Sequence, residues 1–67
     1  MDNSERQVFD TVIEKFQEQY PHRNIGVTNE PYGEIVNIDY RPAFNLTGYN
    51  LLYSLKRLCD CLKGELM

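Results

Sequence analysis

Apolar residues in the first third of the chain stand at Val8, Phe9, Val12, Ile13, Phe16 and Tyr20. Offsets of three and four, at 100° per residue, gather them into an arc of about 140°. The spacing predicts an amphipathic helix over about residues 5–19. Ser4-Glu5-Arg6-Gln7 has the form of a capping box, with the Ser4 hydroxyl accepting from the Gln7 amide while Gln7 reaches back. Pro21 ends the helix, because the residue before a proline is disfavoured in the α region.

The period then changes. Residues 24–29 alternate, with Ile25 and Val27 on one face, as a half-buried strand requires. Glu30-Pro31-Tyr32-Gly33 carries turn chemistry: Pro31 presets φ at the first central position and Gly33 accepts a positive φ. Residues 34–41 alternate again, with Val36, Ile38 and Tyr40 on one face and Ile35, Asn37, Asp39 and Arg41 on the other. This is a β-hairpin. Pro42 is expected to stop its second strand, leaving residues 43–47 as a connection.

From about Gly48 a second amphipathic helix is predicted, with Leu51, Leu52, Leu55, Leu58, Cys59 and Leu62 on its apolar side. Asn45 or Thr47 is its expected N-cap and Gly64 its expected C-cap, with Lys63 suited to the negative end of the helix dipole. The order α-β-β-α describes one α+β domain spanning residues 1–67, two helices on one face of an antiparallel hairpin. In element order alone it is similar to a double-stranded-RNA-binding domain with one strand missing. The loop histidine motif after the first strand and the lysine cluster opening the second helix are not found. Lys56 and Arg57 lie in mid-helix instead, and no family is assigned on this basis.

Composition narrows the reading. The chain has 67 residues, 42 % hydrophobic, and ten acidic side chains against seven basic ones give it a charge of −3. That balance disfavours nucleic acid, whose phosphates draw on surplus Lys and Arg. The apolar runs are too short for a membrane span, and the first residues lack the basic and apolar regions of a secretory signal. Cys59 and Cys61 diverge by about 200° on a helix, so they are expected as reduced thiols in a cytoplasmic setting. With a single histidine, His22, far from them in sequence, no metal and no cofactor is expected.

Nor does a catalytic constellation emerge. Ser4 reads as a cap, Cys59 as part of an apolar face, and His22 follows Pro21 in a turn with no orienting acid nearby. The four glycines are scattered singly, so no phosphate-cradling loop is formed. Asn45-Leu46-Thr47 matches a glycosylation pattern but reads as helix-entry chemistry. The expectation is a protein without enzymatic activity.

Two surfaces stand out instead. Asp10, Glu14 and Glu18 recur every fourth residue away from the apolar arc of the first helix, an acidic stripe fit for a basic partner. Tyr49 and Tyr53 fall on the side of the second helix opposite its leucines, beside Lys56 and Arg57. The expected function is therefore a protein–protein interaction module, an inhibitor or adaptor of the kind phages and mobile elements encode, acting by steric or electrostatic occlusion of a larger macromolecule. The alternative is a small nucleic-acid-binding module in which Arg23, Arg41, Lys56 and Arg57 cluster with Tyr40, Tyr49 or Tyr53. A core this small and a hairpin with two open edges also point to a homodimer.

Overall fold

The structure, a computed structural model, describes residues 3–46 and 50–67. Five elements follow in order: α1 (Asn3–Gln19), β1 (Ile25–Glu30), β2 (Gly33–Ile38), β3 (Arg41–Asn45) and α2 (Leu51–Leu66). The strands form one antiparallel sheet in the order β1-β2-β3, with α1 against β1 and α2 against β3. The architecture is α+β, as expected, but with three strands.

The apolar arc of α1 is the one the spacing predicts except at Val8, which lies at its edge and is exposed. Phe9 and Ile13 are buried, and Val12, Phe16 and Tyr20 pack beside them. From the sheet come Val36 and Ile38 of the central strand, with Ile25, Val27 and Phe44 at its sides. α2 contributes Leu58, Leu62 and Leu66, and Leu46 closes the cluster. Both helices thus cover one face of the sheet.

Several boundaries differ from the sequence reading, each for a physical reason. α1 begins at Asn3, so Ser4 lies inside its first turn and does not cap it. The stretch 34–41 is not one strand. Asp39 and Tyr40 have φ of 53° and 68° and turn the chain between the paired residues Ile38 and Arg41, the double left-handed signature of a tight hairpin turn. Residues 41–45, expected to be mostly connection, are β3. Pro42 is tolerated because β3 is an edge strand, and a bulge opposite Val36 and Asn37 absorbs it.

Asn45 therefore belongs to a strand, and Thr47 lies outside the described residues. The cap of α2 is Asn50, whose side chain accepts a hydrogen bond from the Tyr53 amide at 3.1 Å. At the other end the helix runs through Gly64, not to it. Two further residues bring Leu66 into the core, and the Met67 amide caps the Lys63 carbonyl at 3.1 Å.

Left-handed backbone at Asp39 and Tyr40 is unfavourable by about 1–2 kcal/mol per residue, and partners from before β1 hold it. The Asp39 amide donates to the Asn24 carbonyl at 2.7 Å. Its carboxylate accepts from the Asn24 amide at 3.0 Å and from Arg23 Nε at 2.7 Å. The Asn24 amide bond first, and then Arg23, hold the Asp39 carboxyl below its ordinary range. A depressed folded-state pKa contributes stability above the ordinary carboxylate value and loses it as pH falls through the lower folded value. Asp39→Asn is accordingly expected to be less stable than wild type at neutral pH. That difference should shrink in denaturant titrations below about pH 4; a difference that stays constant with pH removes the carboxylate from the account.

Candidate functional site

The three carboxylates of the α1 stripe have different surroundings. Arg6 pairs with Asp10 one turn along the helix and donates through Nε to Glu34 of β2 at 2.8 Å. Asp10 is thereby drawn into a structural bridge across 28 residues of sequence. Glu14 and Glu18 remain exposed on α1. They lie on the helix that packs against β1, away from the α2 residues that flank β3.

The α2 surface is more built. Tyr53 is 53 % exposed, and the Arg57 guanidinium carbon sits 5.7 Å from its ring centroid. Arg57 Nη1 also donates to the Tyr53 hydroxyl at 3.3 Å, so the two side chains form one amphipathic plate. Lys56, on the neighbouring row, pairs with Asp60 at 3.3 Å in full solvent, an interaction of little energetic weight. Tyr49 lies outside the described residues.

Two features here differ from the expected surface, and the first is Leu52, expected on the apolar side of the helix. Leu52 is 80 % exposed. Its signal was in the sequence, since Leu51 and Leu52 are 100° apart and one narrow core face holds only one of them well. The other feature is a groove of about 420 Å³ between α2 and β3, lined by Ala43, Phe44, Asn45, Asn50, Tyr53, Ser54 and Arg57. It exists only because β3 is a strand lying beside the helix.

The residues of the nucleic-acid alternative fall into two groups. Arg23, Arg41 and Tyr40 sit at or beside the β2–β3 turn, where a second groove of about 410 Å³ includes Arg23, Arg41, Asp39 and Glu65. There two cations meet two carboxylates. Arg57 and Tyr53 lie beside the other groove, and Lys56 is on the outer row with Asp60. The third strand makes the element order α-β-β-β-α, and the first turn of α2, Leu51-Leu52-Tyr53-Ser54, holds no lysine. Element order by itself carries no function.

His22 is exposed in its turn. Cys59 and Cys61 are free thiols, half-buried, and Cys61 Sγ lies 3.5 Å from the Ala43 carbonyl as a weak donor. Burial, and then Glu65, push the Cys61 thiol above its ordinary pKa, away from the nucleophilic thiolate. Among the described residues no group of His, Cys, Asp and Glu is placed to hold a metal ion, and no helix is long and apolar enough to cross a membrane. No protein family, curated protein or solved structure matches the chain.

Proposed function

We propose that the chain is a non-enzymatic protein–protein interaction module, an inhibitor or adaptor of the phage or mobile-element kind that occludes a surface of a larger macromolecule. The observation that carries this reading is the outward side of α2, where Tyr53 and Arg57 stand exposed next to the β3 groove and Leu52, 100° further round the helix from Tyr53, is exposed as well. An exposed leucine and a Tyr–Arg plate combine apolar area with directed donors, the composition of binding hot spots. Arg57 and Tyr53 contact each other and leave the groove beside them open, so the plate is preorganised at little entropic cost.

The test is affinity capture from cell lysate with the wild-type chain and with Tyr53→Ala and Leu52→Ala. A stoichiometric macromolecule held by wild type and lost with both variants is the expected result. Recovery of none, or capture indifferent to both substitutions, overturns the reading. Capture of nucleic acid that falls steeply with salt favours the alternative module instead.

The homodimer belongs to the same proposal. β1 is the strand edge free of proline, although Gln17 Oε1 already accepts from the Ile25 amide there at 2.9 Å. Light scattering on the captured protein across a dilution series measures the mass, and a monomer at every concentration removes the dimer. If a dimer forms, Tyr53→Ala weakens a helix-packed pair and leaves a strand-paired one nearly unchanged.

A further inference from the structure

We infer that the groove between β3 and the N-terminal half of α2 takes a short extended peptide segment bearing a carboxylate, added to the open edge of β3. The inference rests on the interaction-module reading and names its ligand. Its first support is the backbone. The Leu46 amide donates to the Glu34 carbonyl at 2.9 Å, and Phe44 and Asn45 lie opposite Val36 and Ile35. Antiparallel pairs alternate between those that exchange ladder bonds and those that do not. Val36 and Phe44 therefore exchange them, and the Asn45 N–H and C=O turn away from β2 to the free edge. Two residues earlier the edge is occupied, since the Ala43 carbonyl faces Cys61 Sγ. The stretch that the described residues leave accessible is thus short and lies beside the N-terminal half of α2.

Side chains complete the site. Half-buried Ala43 and Phe44 supply an apolar floor, and Tyr53 and Ser54 form the opposing wall. Arg57 is the one charged residue among the described lining, in a chain whose net charge is −3. Its neighbour is the Tyr53 ring and hydroxyl, and no carboxylate of the described residues pairs with it. A guanidinium stacked on a ring keeps further N–H donors for a carboxylate, which it binds in bidentate fashion. Strand addition supplies main-chain bonds, the floor takes an alternate side chain, and Arg57 selects the acid. Pro42 and the bulge keep the added segment to a few residues. A phosphate chain fits less well, since it needs several cations in register and this lining offers one.

The experiment selects a phage-displayed random heptapeptide library on the full chain, then measures the enriched peptides by fluorescence anisotropy and amide hydrogen exchange. Enriched sequences are expected to share an Asp or Glu near a β-branched or aromatic residue. Arg57→Glu should weaken them at least about tenfold, and replacing the peptide acid by Lys should restore binding to that variant. Exchange at the Asn45 amide should slow in the complex. Arg57 is exposed, so a thermal melt of Arg57→Glu that matches wild type excludes misfolding as the cause. No enrichment, peptides indifferent to Arg57→Glu, or displacement of the peptides by a single-stranded oligonucleotide overturns the inference. A folded protein captured through Leu52 and Tyr53 without protection of Asn45 overturns it too, and leaves the interaction-module reading standing. Peptide binding with no macromolecule captured from lysate overturns that reading alone.

Discussion

Phe9→Ala is expected to remove about 3–5 kcal/mol of folding stability. Phe9 is 0 % exposed at the centre of the cluster built from α1, the sheet and α2. Truncation takes a fully buried ring out of a cluster drawn from both helices and the sheet, and a close-packed interior collapses only partly into the space left. A chain of this length has about 3–10 kcal/mol in total at typical values per residue. The variant should therefore lose much of its cooperative urea transition, or show a midpoint lowered by roughly 3 M at a slope of about 1 kcal/mol/M. Leu52→Ala is the control. Eighty per cent exposed on the same cluster's covering helix, it should stay within about 0.5 kcal/mol of wild type. A Phe9→Ala loss under 1 kcal/mol, or an equal loss in both variants, contradicts this placement of the core.

Phe9 and its stripe were legible in the sequence because helical burial repeats over a few residues. The arc of α1, the alternation of β1 and the turn at Pro31 each depend on neighbours close in the chain, and each is found. The third strand depends on distant ones. Ile38-Asp39-Tyr40-Arg41 keeps a strand's alternation, and tyrosine is a strand former, so local pattern runs straight through a turn. What bends the chain there is Asn24, 15 residues away, whose amide is bound by the Asp39 carboxylate.

The same distinction divides the candidate site. Tyr53 and Arg57 were visible as residues off the leucine stripe of one helix. Ala43, Phe44 and Asn45, the other wall of their groove, were unreadable without β3. The surroundings of Asp10 divide in the same way: its partner Arg6 is local, but the Glu34 that fixes Arg6 lies on the sheet.

Gly33→Ala and Gly64→Ala should move stability in opposite directions. Gly33 closes the β1–β2 turn opposite Glu30 with φ at +137°, a conformation in which a side chain is strained. A methyl group there would also stand 3.2 Å from Asn45 Oδ1, close enough that the amide must shift. The expected loss is about 1–3 kcal/mol. Gly64 meets neither obstacle. It lies inside α2 with nothing within 4 Å of an added Cβ and no positive φ, because the helix continues to Leu66. Alanine there reduces the freedom of the unfolded chain at no native cost and should add about 0.5–1 kcal/mol. If Gly64 were the left-handed cap that its sequence position suggests, alanine would destabilise instead. Thermal or urea unfolding of the two variants therefore decides where α2 ends: a stabilised Gly64→Ala places Leu66 on the helix and in the core, and a destabilised one moves the end of α2 back to Lys63.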